Sequence, residues 1–254
     1  MRDDTGAEVA LPDAPARVVS LVPSLTEAVA VTAPSLLAGA TDYCVHPESL
    51  DVPRVGGSKY PSVDAVLALR PDLVLANVEE NRREDVEALR AAGVPVWVTY
   101  PRTLDEAFTS LRRMFTALRL SAPAWLGEAE REWAVPAPPA GVAARALVPV
   151  WRRPWVVLGS ATFAGDLLAR LGVAHLYADA PDRYPRPTLD ELRGRDPDLL
   201  VLPDEPYAFT AGDGPDAFPG VPFALVSGRH LTWYGPSLAG ARRILSGELA
   251  GSSR

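Results

Sequence analysis

Two stretches of the chain share one pattern, and it limits the fold more than any other feature. "SVDAVLALRPDLVLA" begins at Ser62 and "TLDELRGRDPDLLVL" at Thr188. In each, a hydroxyl residue is followed two places later by Asp and nine places later by Pro-Asp-Leu and an apolar run. Ser62 and Thr188 are natural helix N-caps, and Asp64 and Asp190 fall in the first turn, where the helix dipole favours negative charge. Thr188 with Glu191 completes a capping box. The proline ends each helix ahead of a buried strand. A helix feeding a buried strand, met twice, predicts a duplicated α/β lobe.

The rest of the chain follows the same alternation. Strands are expected at Arg17–Val22, Gly39–Tyr43, Leu73–Ala76 and Val94–Thr99, with helices at Ser24–Val31, Val63–Leu69 and Arg82–Ala92. Gly93 stands where a helix C-cap belongs. From Thr103 to Ala134 the spacing of Leu104, Ala107, Phe108, Leu111, Phe115 and Leu118 is helical, and Trp125 to Trp133 continues after a break at Pro123. The proline-rich "VPAPPAG" (135–141) then leads into a strand at Ala144–Trp151. Helices at 162–171 and 188–194, strands at 199–202 and 223–226, and a last helix from about 237 complete the pattern. Strands separated by helices imply βαβ units and mostly parallel sheets. The expected organisation is an N-terminal lobe over 1–102, a linking helix over 103–143 and a C-terminal lobe over 144–254. A cleft between two such lobes is where a small ligand binds.

A net charge of −7 argues against a nucleic-acid binder, which would normally show a basic face. Cys44 is alone, so the chain has neither a disulfide framework nor a cysteine zinc site. The start, Met1-Arg-Asp-Asp-Thr-Gly, lacks the apolar stretch of a signal peptide, and no run approaches transmembrane length. Taken as written, the chain is expected to be cytoplasmic. It has no P-loop, no G-x-G-x-x-G fingerprint, no H-E-x-x-H and no nucleophile elbow at Gly159-Ser160. No enzyme activity is expected, although fold alone does not exclude one.

Three ordered blocks resemble the substrate-binding proteins of metal-chelate importers, the class III periplasmic binding proteins or helical backbone metal receptors. They are "DDTGAEVALPDAPARVVSLVPSLTEAV" (3–29), "VGGSKYPSVDAVLALRPDLVLA" (55–76) and "HLTWYGPS" (230–237). The resemblance implies two α/β lobes with mostly parallel sheets bridged by a long rigid helix. It also implies noncovalent capture of cobalamin, a ferric siderophore or haem between the lobes, delivery to an ABC permease, a monomer, and an extracytoplasmic location. One branch binds bare zinc or manganese instead. A trimmed importer component, a misassigned start, and a cytoplasmic carrier or enzyme for a corrinoid or tetrapyrrole on the same scaffold all remain open readings.

The candidate ligand contacts follow. Lys59, the only lysine, lies in a Gly-Gly-Ser turn beside Tyr60, where a flexible cation could meet the amides, carboxylates or phosphate at a chelate's rim. Tyr43 falls where the resemblance places a ligand-facing tyrosine. Trp151, Trp155, Tyr184, Trp233 and Tyr234 lie on loops rather than at helical core spacing, which suits a flat conjugated ligand held by stacking. Arg229, Arg152 and Arg153 would add charge, and Glu205 and Tyr207 are weaker candidates. The resemblance puts Asp64 and Asp190 at the paired acids that dock such proteins on permease arginines, where Glu is common; helix-dipole electrostatics alone accounts for them equally well. His46 and His230 could reach a chelated metal, His175 reads as structural, and no bare-metal site is expected.

Overall fold

The computed structural model describes residues 1–135 and 145–252. By internal packing the chain forms two units. Unit 1 consists of Met1–Pro101, Asp105–Gly127 and Tyr234–Pro236. Unit 2 consists of Arg102–Leu104 and the described residues of Glu128–Trp233 and Ser237–Arg254.

In unit 1, β1 (Val18–Ser20), β2 (Leu37–Ala40), β3 (Leu73–Asn77) and β4 (Val96–Thr99) form one sheet in the order β2-β1-β3-β4. Every pairing in it is parallel. In unit 2, β5 (Arg145–Leu147), β8 (Ala174–His175), β9 (Leu199–Pro203) and β10 (Phe223–Val226) form a second parallel sheet in the order β10-β9-β5-β8. The two orders are the same topology read from opposite ends. A short antiparallel hairpin, β6 (Pro149–Trp151) with β7 (Val156–Val157), follows β5. It divides the single strand expected over Ala144–Trp151; Ala144 and residues 136–143, with most of the proline-rich segment, lie outside the described residues.

The duplication extends to individual hydrogen bonds. Helices α1 (Pro23–Thr32), α2 (Val63–Ala68) and α3 (Arg83–Ala91) belong to unit 1, and α6 (Phe163–Arg170) and α7 (Leu189–Arg193) to unit 2. Ser62 Oγ accepts from Ala65 N at 3.2 Å, and Thr188 with Glu191 forms the full capping box. After α2 and α7 the chain passes through left-handed residues, Arg70 (φ 48°) and Asp196 (φ 50°). The Asp of each Pro-Asp-Leu then holds the start of the neighbouring first strand. Asp72 Oδ2 accepts from Ala16 N and Arg17 N at 2.7 and 3.0 Å, and Asp198 Oδ2 accepts from Arg145 N at 3.0 Å. The motif thus closes a helix and registers a sheet. Downstream, β3 and β9 are buried along their whole length, as strands covered on both faces must be.

The linking region is two helices, α4 (Leu104–Ala117) and α5 (Ala124–Trp133), separated by residues 118–123. Proline at 123 suits the start of a new helix, not the middle of a continuous one. From Asp105 onward α4 packs as part of unit 1, and the division between units falls inside α5, after Gly127. Ala107, Leu111, Met114 and Phe115 are fully buried. On its polar side, Ser110 Oγ donates to Asp4 Oδ2 at 2.5 Å and Arg113 pairs with Asp4 Oδ1 at 2.7 Å. The N-terminal turn therefore clasps α4. The remaining helices are α8 (Gly228–Thr232), unforeseen in the sequence because it is one short turn, and α9 (Leu238–Ala250).

His175 ends β8, half-buried, and its burial pushes the imidazole below the ordinary histidine value, with Asp179 opposing weakly. A base whose folded pKa is lowered binds its proton more readily in the unfolded chain. Its contribution to stability is complete above the unfolded value near 6.5 and is lost as pH falls through that value toward the folded one. Thermal melts between pH 7.5 and 5.5 should show the wild type losing more of its midpoint than His175→Gln. Equal slopes would refute a buried neutral His175.

Candidate functional site

In open parallel sheets ligands bind beyond the carboxyl ends of the strands, where the strand order reverses. In unit 1 that reversal lies between β1 and β3; in unit 2 it lies between β5 and β9. Most of the residues singled out in the sequence fall on these carboxyl edges.

At the edge of unit 1, Tyr43 follows β2 and is 66% exposed, and Tyr60 is 70% exposed. Lys59 is exposed beside Tyr60, and its ammonium donates to the Glu79 carbonyl at 3.2 Å. The turn carrying them depends on Gly56, whose φ of +90° suits glycine and whose added Cβ would stand 3.3 Å from Tyr60 O. Gly57 lies beside the Tyr43 ring, so the two aromatic positions share one surface. The Arg82 guanidinium stacks 4.7 Å from the Tyr60 centroid and is fixed by Asp85 at 2.7 Å. Val45 and Val78 are also exposed. The result is an apolar and aromatic surface that carries the Lys59 ammonium and the Arg82 guanidinium.

A continuous buried hydrogen-bond network lies under this surface. Cys44 Sγ lies 3.0 Å from Thr26 Oγ1 and 3.1 Å from Thr41 Oγ1, and Thr41 Oγ1 lies 3.1 Å from Ser58 Oγ. Burial pushes the Cys44 thiol above its usual range, so it stays protonated. Asn81 donates to Ser58 O at 2.8 Å and to Leu21 O at 3.2 Å, and accepts from Asn77 N at 2.8 Å. Asn77 Oδ1 accepts from Glu79 N and Glu80 N, shaping the loop that holds Lys59. Asn77 Nδ2 donates to Tyr234 OH at 2.6 Å, which lies 2.8 Å from Thr99 Oγ1. Tyr234 is thus a buried member of unit 1, its phenol pushed far above the usual range chiefly by burial. Its place in the network has no local sequence signal, because the partners are 135 and 157 residues away.

At the edge of unit 2, Trp151 is 44% and Tyr184 41% exposed. Trp151 meets Tyr207 edge-on at 5.5 Å, Tyr207 meets Phe209 at 4.6 Å, and Trp155 stacks on Phe209 at 6.3 Å. Trp155 is half-buried as one wall of this cluster. Arg152 is committed to Asp213 and Asp216, and its hydrogen bond is the main cause that lowers Asp216 to about 2. Tyr207 OH donates to Asp213 Oδ2 at 2.5 Å. Arg153 is exposed at a left-handed φ of 74°. Trp233 is buried with the Arg229 guanidinium 5.8 Å from its centroid. Phe209 and Phe218, which anchor the cluster, gave no signal because they read as ordinary core residues.

Asp64 and Asp190 are exposed in the first turns of α2 and α7, and so each stands at its own sheet's carboxyl edge. His46 belongs to unit 1 and His230 to unit 2, where its Nδ1 lies 2.8 Å from Ser227 Oγ. Among the described residues, no three His, Cys, Asp or Glu side chains gather to hold a metal ion. A groove of about 540 Å³ in unit 2, walled by Tyr177, Arg186, Glu191 and Arg195, involves none of the expected contacts.

Together these features define a two-lobe α/β protein with exposed aromatic residues at the carboxyl edges of two parallel sheets. No family model matches the chain. The vitamin B12-binding protein of Pectobacterium carotovorum subsp. carotovorum (strain PC1) is 24% identical over 200 residues, covering 76% of this chain and 72% of that one. Among solved structures, a periplasmic heme-binding protein from Pseudomonas aeruginosa superposes with a TM-score of 0.74 at 23% identity, covering 94% of each chain. The molybdate periplasmic binding protein of Haemophilus influenzae superposes with a TM-score of 0.79 at 16% identity, covering 98% of this chain and 90% of that one. In sequence the chain is similar to vitamin B12-binding proteins, and in fold it resembles periplasmic binding proteins. No helix among its described residues is long and apolar enough to cross a membrane.

The burial pattern separates two kinds of tyrosine. Tyr234→Phe should destabilise the protein by about 1–3 kcal/mol, because Asn77 and Thr99 lose a buried partner. Tyr43→Phe, at an exposed position, should change stability by no more than about 0.5 kcal/mol. Urea melts of both variants decide the matter; equal effects would contradict the network.

Proposed function

We propose that this chain is a noncatalytic binding protein that captures a metal chelate, with a corrinoid of the cobalamin type as the leading ligand, for delivery to an ABC importer. The observation that carries the reading is the edge of unit 1, where exposed Tyr43 and Tyr60 flank the chain's single lysine. Large conjugated chelates offer faces for stacking and a polar rim for a cation. Trp151 and Tyr184 supply the corresponding aromatic surface of unit 2. Trp155, Arg229, Trp233 and Tyr234 act behind these contacts as packed support. Vitamin B12-binding relatives favour the corrinoid, and the heme-binding neighbour supports haem as the second reading. We take the site of action to be outside the cytoplasm, with the cytoplasmic carrier as its alternative, and the working form to be a monomer.

Absorbance titrations with cyanocobalamin, haemin and a ferric hydroxamate test the ligand directly. The wild type should bind at least one of them tightly and recover it unchanged on denaturation. Tyr43→Ala and Trp151→Ala should each weaken that binding by about 1 kcal/mol or more, as lost stacking partners do. Lys59→Met should weaken the most acidic ligand most. Wild-type affinity in all three variants would sink the assignment.

Asp64 and Asp190 are proposed as the permease contacts. Exposed carboxylates of this kind contribute little to folding and are screened by salt. Asp64→Asn with Asp190→Asn should leave chelate affinity and melting temperature nearly unchanged while abolishing transport through a cognate permease in proteoliposomes. Undiminished transport would leave both acids as helix-dipole partners alone.

A further inference from the structure

We propose that Asn81 is a positioning residue for the binding surface of unit 1: it sets where Lys59 and Tyr60 stand and acts on the ligand only through them. The inference rests on the reading of that surface as a chelate site. Asn81 is 4% exposed, so it does not itself reach a ligand. Its side chain meets three separate strand-end segments. Nδ2 donates to Ser58 O, the residue before Lys59, and to Leu21 O, just past β1. Oδ1 accepts from Asn77 N at the end of β3.

The arrangement fixes the lysine from both ends. Through Ser58 it anchors the backbone from which Lys59 projects. Through Asn77 it holds the 78–80 turn that presents Glu79 O, the carbonyl on which the ammonium rests. The neighbouring Ser58 Oγ bond to Thr41 Oγ1 joins the same loop to the end of β2, but by a hydroxyl that can rotate. An amide using both its donors and its acceptor against three backbone groups cannot rotate without breaking all of them. A buried amide satisfied in this way specifies one geometry. The base of the Lys59 turn is closed by the Gly56–Pro61 bridge and by Asp42 N donating to Gly56 O at 2.9 Å, and its tip at Ser58 is tied to the strand ends by Asn81.

Because Lys59 is the only lysine, reductive methylation with labelled formaldehyde gives one side-chain NMR signal that reports the loop without any ligand. In the wild type that signal should differ in chemical shift from an unfolded reference. In folded Asn81→Ala it should move to the unfolded values, while far-ultraviolet dichroism stays native. Asn81→Asp keeps the acceptor but presents an anion to two carbonyls, and should displace the signal similarly; it serves where Asn81→Ala does not fold. A native Lys59 signal in either folded variant overturns the inference, since a merely structural amide would leave it unmoved.

Cyanocobalamin and haemin titrations of the same variants separate the two claims. A displaced Lys59 signal with at least fivefold weaker binding supports both. A displaced signal with unchanged affinity supports the positioning role and overturns the chelate reading of this surface.

Discussion

Two buried asparagines carry the constraint on which the rest of unit 1 depends. A parallel sheet ends in loops with no backbone partners of their own, and buried amides and carbonyls left unpaired are costly. Asn77 and Asn81 answer that need at the carboxyl edge. Between them they engage Leu21, Ser58, Glu79, Glu80, Thr99 and Tyr234, which lie at the end of β4 and on segments after β1, β2, β3 and α8. The exposed aromatic surface above them is therefore carried by loops that are fixed from below. Loops fixed in this way hold their exposed side chains in place before any partner arrives, which lowers the ordering cost of binding.

The same logic, with different chemistry, operates in unit 2. There the loop ends are held by an aromatic cluster and by an arginine shared between two aspartates. Tyr207, Phe209, Trp155 and Phe218 pack as rings, and Arg152 fastens the 213–216 segment to the hairpin. The two units share a frame (strand order, helix caps, the left-handed residue and the Asp that registers the first strand) while their edges differ. Frames are selected for closure of a sheet, and edges for what they touch.

What the sequence revealed follows that division. The lobes, their mostly parallel sheets and nearly all the strands were legible, because helix caps, Pro-Asp-Leu junctions and continuous apolar runs are local signals. The strand at Gly39–Tyr43 was set too late: Leu37 pairs with Val18, and the chain leaves the sheet after Ala40. The break in the linking helix was visible at Pro123, but the assignment of α4 to unit 1 was not, since it rests on Asp4 and Arg113 meeting across the chain. Strands of two residues, such as β7 and β8, carry too little pattern to be seen. At the site, exposed Tyr43, Lys59 and Tyr60 could be named from their loops. The buried roles of Trp233 and Tyr234 could not, because aromatics on a loop look alike until the fold takes them inside.

The most direct test of noncovalent chelate capture is a visible absorption spectrum, with native and denaturing mass spectra, of the protein purified from its own host grown with cobalamin and haem supplied. The account predicts a coloured protein whose native mass exceeds the chain mass by that of an intact metal chelate. That chelate should be released unmodified on denaturation. A colourless protein, a bound molecule that contains no metal, or a chelate recovered in chemically altered form would contradict it.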